Sequence, residues 1–489
     1  MKFFPAPGLL LLLLGTLLVS CKRREPTTTT TTSPAAPAPA AAPVKPVVAH
    51  HPEDRLKETA RKWFMTNLVG AYERLGQRDP KWDEPAKTAL KLMAEARADR
   101  YAVDTDWQRD VSTLAQSALD QGCPDPLVRY AAVRYRVLNV KRSGAETAGE
   151  LGEIARAMQG SSYSGFVRFY AEVRAAEALK ATLPDQESHR PEMEQVHYLR
   201  RNALTSLIEA LHDHTTPDTE IGTMCRLLLD LVRLNKQQFP EFWDRLDPVL
   251  QEQWPKSAQA DLLRAWFYQT YAWQARGNGF ADKVTPEGAR FFEARMKRAD
   301  QALQSAWRKD DTEVRIPVEM IEVCTALNKS RREMEEWFQR AMLLAPDSHE
   351  ACFAKLHYLK PVWYGSPEEM LAFGRECVSN PKWSGNVRLI LVDAHAYLSN
   401  YERKDKAARQ AYWLQPGVWP DLRSAYEKFF AEPQFQSWRQ NYALDAYRCQ
   451  AWDDLNLQLP QLGAVDYKFF GGRAAFDRMV AEAKQHAKP

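Results

Sequence analysis

The feature that most constrains this chain is a repetition at a lag of 35 residues in its C-terminal half. Pro346, Pro381 and Pro416 are equally spaced, and apolar residues recur in the same register: Ile321, Leu356 and Leu391; Cys324, Leu359 and Ala394; Leu327, Val362 and Tyr397; Phe338, Phe373 and Ala408. Each period reads as two helices closed by a proline that cannot continue the second. One helix pair cannot cover its own apolar side, so neighbouring pairs must stack and share it. A further pair is expected just upstream, with 257–276 and 287–307 as its helices. Gly277 is placed to end the first, and Thr285-Pro286-Glu287 to start the second with a capping residue and a first-turn proline.

The string Glu336-Trp337-Phe338-Gln339-Arg340-Ala341-Met342-Leu343-Leu344-Ala345-Pro346 resembles the tetratricopeptide repeat, in which helix pairs carry a large apolar residue, a small residue and a terminal proline. The chain departs from that pattern where a first-helix glycine is replaced by Glu322, His357 and Val392. It departs again where a small second-helix residue is replaced by Met334, Glu369 and Lys404. The segments 272–279, 337–341, 355–366 and 370–377 also resemble an uncharacterised bacterial tetratricopeptide-like family, a domain of unknown function of the DUF4034 type. That resemblance covers about 254–397 and implies a helical-repeat fold without implying a reaction.

Outside the repeats the helical period persists. Leu56, Ala60, Trp63, Phe64, Leu68, Ala71, Tyr72 and Leu75 mark one buried stripe, and similar stripes run through 111–119, 127–138, 166–179, 199–211, 224–234 and 262–273. No segment sustains a two-residue alternation. The expected fold class is therefore all-α, built of stacked antiparallel helix hairpins in a degenerate tetratricopeptide-like solenoid. The expected organisation is a signal peptide at 1–20, a tether at 21–52, a helical region at 53–235 and the repeats at 236–489.

The leader has one cation, Lys2, then an eleven-residue apolar run from Leu9 to Val19, and Leu18-Val19-Ser20-Cys21 before a polar tract. Eleven residues cannot span a bilayer core that needs about 20. Leu-Val-Ser-Cys resembles the lipobox of bacterial lipoproteins, which implies cleavage before Cys21, lipid on its thiol, and a place in the cell envelope facing the periplasm or the surface; Lys22 and not Asp after the Cys resembles the pattern for outer-membrane delivery, so the outer membrane is favoured. The tract from Lys22 holds six consecutive threonines, Thr27 to Thr32, and Pro34, Pro37, Pro39, Pro43 and Pro46. Such composition cannot bury enough apolar surface to offset chain entropy and reads as a spacer.

A net charge of +3, with no long segment dominated by Lys and Arg, argues against the long-range field of a nucleic-acid binder, so no nucleic-acid partner is expected. Apart from Cys21, six cysteines remain: Cys123, Cys225, Cys324, Cys352, Cys377 and Cys449. None falls in a Cys-x-x-Cys or zinc spacing, and each sits in or beside an apolar helical pattern where Cys packs as a small hydrophobe.

No nucleophile–base spacing, metal motif or glycine-rich phosphate loop is present, so no enzyme, cofactor or metal is expected. His212 and His214, and likewise Asp393 and His395, are two residues apart and point apart on a helix. The aromatics are more suggestive. Fifteen Trp and 18 Tyr exceed ordinary packing needs, and Trp363-Tyr364-Gly365-Ser366 follows Lys360-Pro361 in an expected turn. There a large ring is either a plug on the next repeat or an anchor for a partner. Trp363, Tyr364, Lys360, Arg276 and Asn278 are the expected partner-binding residues, on the turn and on the long 277–286 loop. The expected function is a membrane-anchored scaffold binding a protein or peptide along the stacked helices. The alternative is a cell-wall glycan binder or processor, which would need acidic residues beside aromatics at sugar-stacking spacing.

Overall fold

A computed structural model of the chain describes residues 52–98, 106–136, 144–183, 191–277, 283–401, 405–432 and 438–486. The leader 1–20, Cys21, the tether through residue 51 and Asn278 lie outside the described residues. Among the described residues the structure is helical, with no strand. The chain divides between Thr270 and Tyr271 into two compact units.

The first unit contains α1 (Pro52–Asn67), α2 (Val69–Leu75), α3 (Asp83–Ala98), α4 (Asp106–Asp120), α5 (Pro126–Arg134), α6 (Gly144–Gln159), α7 (Gly165–Ala181), α8 (Pro191–Leu211), α9 (Asp218–Val232) and α10 (Gln238–Gln253). The division falls inside α11 (Ala258–Arg276). In the first unit α3 packs on α4, and α7 packs against both α6 and α8. A helix covered on two sides cannot be amphipathic, and Phe166, Val167, Phe169, Tyr170, Ala171, Val173, Ala175 and Ala176 of α7 are all buried. Close approach of α7 to α8 depends on Gly165, where a Cβ would lie 2.4 Å from the Ser206 carbonyl oxygen.

Two sequence stripes are shorter than their apolar pattern. The stripe expected from Leu56 to Leu75 is interrupted at Leu68, whose φ and ψ of −111° and −69° separate α1 from α2. Trp63, Phe64, Leu68, Ala71 and Tyr72 remain buried, but Leu75 is exposed. Leu234, at the end of another stripe, lies beyond α9 in solvent.

The second unit continues with α12 (Pro286–Lys309), α13 (Arg315–Ala326), α14 (Arg331–Leu344), α15 (His349–Tyr358), α16 (Pro367–Ser379), α17 (Ile390–Asn400), α18 (Lys406–Trp413), α19 (Val418–Phe430), α20 (Arg439–Arg448), α21 (Trp452–Gln458) and α22 (Arg473–Gln485). The repeat helices start and stop where local chemistry demands. Thr285, Ser330, Ser348, Ser366 and Asp405 cap α12, α14, α15, α16 and α18 by accepting from the amides of Gly288, Glu333, Ala351, Glu369 and Ala408. Gly277 adopts φ +74° just past α11, a left-handed conformation that glycine takes without a Cβ penalty.

Pro346, Pro381 and Pro416 each fall just beyond α14, α16 and α18, so the 35-residue units are α13–α14, α15–α16 and α17–α18. Ile321, Leu356 and Leu391 are buried in register, as are Cys324, Leu359 and Ala394. Phe338 and Phe373 meet edge to face with centroids 5.5 Å apart. The third unit is less regular: a 3-10 turn, Gly385–Leu389, precedes α17, α18 has only eight residues, and Ala408 is half-buried. Cys123, Cys225, Cys324, Cys352 and Cys377 are buried, and none of the six described cysteines is disulfide-bonded.

Candidate functional site

The first helices of the three repeat units, α13, α15 and α17, are packed side by side. Residues four apart on a helix share a side. On α15 this aligns His349, Phe353 and His357, and on α17 it aligns Asp393 and Tyr397, continued by Tyr401 at the helix end. All six are half-buried, as is Glu322 of α13, so together they form an accessible side of the unit.

The polar atoms on this side are paired across helices. His357 Nδ1 lies 3.6 Å from Glu322 Oε2, and its Nε2 accepts a hydrogen bond from the Trp363 indole N–H at 2.8 Å. Neutral His357 therefore carries its proton on Nδ1, toward the carboxylate. His349 Nε2 lies 3.3 Å from Asp393 Oδ2. The His349 ring stacks on Phe353, and Tyr397 stacks on Tyr401.

Lys360 enters from the turn after α15. It is only 8% exposed, and its Nζ stands 4.8 Å above the Tyr397 ring and 5.9 Å from that of Phe353. Burial pushes its ammonium below the usual lysine range, against the opposing pull of Glu322 and Asp393. Aromatic faces attract a desolvated cation strongly, so the two rings account for a lysine in this position.

Trp363 is half-buried against this side through His357. Tyr364, half-buried with its ring 6.3 Å from that of Trp363, donates its hydroxyl to the Thr325 carbonyl at 2.9 Å, and its ring lies 4.8 Å from Tyr358. Arg276 lines a separate cavity of about 540 Å³ with Phe292, Lys297, Asp300 and Asn328, and its guanidinium lies 5.5 Å from the Trp273 ring. The structure thus brings Lys360 and Trp363 together and leaves Arg276 elsewhere. Sequence reasoning missed His349, Phe353, Tyr397 and Tyr401 as members of the side. Its usable signal was the four-residue spacing together with Glu322 and His357, which stand where the repeat pattern has glycine.

Asp393 and His395 face different neighbours. His395 is buried, with Nδ1 2.8 Å from the Tyr412 hydroxyl and Nε2 3.2 Å from Asp421, which also receives Arg375 at 2.8 Å. Burial pushes the His395 pKa down, against the pull of Asp421. These residues lie at a depression of about 610 Å³ that Leu398, Tyr401 and Val418 also line. In the first unit His212 Nδ1 contacts the Ile208 carbonyl at 2.7 Å, while His214 packs against Trp254.

No family model matches the chain, and no curated protein matches it. Solved structures with similarity include a human IFIT1 dimer with PPP-AAAA, at 14% identity and a TM-score of 0.28 over 83% of each chain. A monomeric mutant of IFIT1 with Gppp-AAAA has 13% identity and a TM-score of 0.30 over 89% of this chain and 95% of that one. A human IFIT1 dimer with m7Gppp-AAAA has 11% identity and a TM-score of 0.28 over 88% and 95%. So loose an overlap carries no argument about what this chain binds, and the all-α repeat architecture rests on its own helices. One expectation is corrected. Net charge was taken to exclude nucleic acid, and a formal charge of +3 does not support that exclusion. Physically, net charge governs the far field and says little about the chemistry of a single groove.

Proposed function

We propose that this chain is a helical-repeat scaffold that binds an extended segment of another protein across α13, α15 and α17, and that lipid on Cys21 holds it at a membrane. The observation that carries the reading is the accessible side itself, where Phe353, Tyr397 and Tyr401 stand among the half-buried carboxylates of Glu322 and Asp393, with the buried Lys360 ammonium against the Tyr397 ring. Aromatic anchors among paired polar groups are the composition of a protein-recognition surface. A sugar groove needs open ring faces. Here Phe353 is stacked by His349, Tyr397 by Tyr401 and Lys360, and Trp363 meets the edge of His357, which favours a peptide over a glycan. The membrane part rests on Leu18-Val19-Ser20-Cys21 and the Thr/Pro/Ala tract after it, and confinement at a surface raises the effective concentration of a partner.

The test is crosslinking in intact cells, comparing the natural chain with Tyr397→Ala and with Cys21→Ser. A discrete protein captured by the natural chain and reduced at least tenfold by Tyr397→Ala supports the scaffold. Capture of glycan or RNA in its place, with the same dependence on Tyr397, rejects the peptide reading. Retention of Cys21→Ser in the membrane fraction rejects the lipid anchor.

A further inference from the structure

Lys360 carries its amine into an aromatic setting and leaves it without a polar partner. The side chain is 8% exposed, and Nζ lies 4.8 Å from the centre of the Tyr397 ring and 5.9 Å from that of Phe353. Among the described residues Nζ makes no hydrogen bond and no ion pair. The carboxylates that pull on it from farther away face other groups: Glu322 lies 3.6 Å from His357 and Asp393 lies 3.3 Å from His349. Nor is the nitrogen sealed in, since it is not among the unpaired side-chain atoms closed off from solvent. An ammonium has three N–H donors, and ring faces attract its charge without accepting those hydrogens as an oxygen would. Holding it there without acceptors costs free energy.

We propose that the Lys360 amine is a covalent binding site for an apolar aldehyde, which it takes up as a Schiff base beside the Phe353 and Tyr397 rings. A lysine desolvated in an apolar pocket gives up its proton readily and becomes a nucleophile toward carbonyl carbon. Burial already pushes this ammonium below the usual lysine range. The product suits the place as well. An imine nitrogen is neutral and has no donor to satisfy, so uptake removes the buried charge and the unbonded N–H groups together. The surroundings also choose the aldehyde: the two rings favour an apolar substituent, and Glu322 and Asp393 repel an anionic one.

The step needs no oxidant or reductant. The amine lone pair attacks the aldehyde carbon and forms the C–N bond, while the carbonyl oxygen becomes a hydroxyl by taking one proton from nitrogen. The C–O bond then breaks, nitrogen loses its second proton, and one water leaves.

The test incubates the full chain with salicylaldehyde near neutral pH, reduces the imine with cyanoborohydride and maps the labelled lysines by mass spectrometry. Each unit by which an amine's pKa falls raises its neutral fraction about tenfold, so Lys360 should be labelled about tenfold faster than the exposed Lys62 and Lys297. Glyoxylate, an anionic aldehyde, should lose that preference. Lys360→Met keeps the length of the side chain without the amine and should abolish the fast phase at an unchanged circular dichroism spectrum. Labelling of Lys360 no faster than of Lys62 and Lys297 in the natural chain overturns the site without recourse to any variant. A fast phase that survives Lys360→Met overturns it too, and equal preference for glyoxylate overturns the apolar class of ligand. None of these readouts involves a partner protein, so they are decided separately from the peptide scaffold.

Discussion

The two units use the same helical period for opposite ends. Through Thr270 the polar side chains act as internal struts. Arg97 reaches Glu220 at 3.1 Å, the Tyr170 hydroxyl donates to the same carboxylate at 2.6 Å, and the guanidinium stands 3.9 Å over the Tyr170 ring. Asp125, 1% exposed, caps α5 and also accepts from the Tyr163 hydroxyl and the Gln77 amide. From Tyr271 onward, charges on α13, α15 and α17 stay half-buried and pair across an accessible side. A buried, fully bonded polar group rigidifies, whereas a half-exposed one keeps bonding capacity for a partner. Two stretches built on the same helical period thus differ in what they are suited to do.

The sharpest way to break this contrast is to cut one strut and one surface pair. Arg97→Ala leaves Glu220 charged and buried and should destabilise the first unit by about 3–5 kcal/mol, read by urea unfolding. Equal loss from Glu322→Gln would abolish the distinction.

The next effect is in pH. Burial pushes the Glu172 carboxyl up from 4.5 to about 7, although Ser206 and Gln159 bond to it. The folded state then binds more protons than the unfolded one between those values. Its contribution is full below 4.5 and lost as pH rises toward 7, by at most about 3 kcal/mol. His395 has the opposite sign. Its folded pKa is depressed by burial, so its contribution is present above 6.5 and lost as pH falls. Hydrogen exchange between pH 5 and 8 should show helices around Glu172 losing protection as pH rises while those around His395 gain it, and Glu172→Gln should flatten the first trend only.

Smaller in stability, Asp393→Asn and Glu322→Gln should each change unfolding free energy by no more than about 0.5 kcal/mol while weakening partner capture by about tenfold. Smallest in its effect on capture, Trp363→Phe removes one indole N–H from His357 and leaves a smaller aromatic ring. It should cost about 1 kcal/mol and leave capture within a few fold.

Much of this was legible in the residues. The 35-residue lag placed three helix pairs, Thr285 and Gly277 marked helix ends that the structure confirms, and the buried registers of Ile321, Leu356 and Leu391 follow from period alone. The site was legible only in part. Lys360 and Trp363 stood out as a turn with an aromatic, but the hydroxyl of Tyr364, next in sequence, is bonded to the Thr325 carbonyl. Asp393 and Tyr397 read as ordinary helix residues, since nothing local reveals that α15 places His349 and Lys360 beside them. Arg276 was grouped with the turn because both lie near loops, and a loop's position in sequence does not say which cavity it borders.

By itself the sequence determined the period, the caps and the apolar stripes, because these arise from interactions within about four residues along the chain. Only the tertiary structure decided that α16 approaches α17 so closely that a Cβ on Gly374 would meet the Leu391 Cα at 2.8 Å. It also decided which charges are struts and which face a partner. Those outcomes depend on which helices become neighbours, and neighbour choice is set by the summed packing of whole helix sides, not by any local pattern.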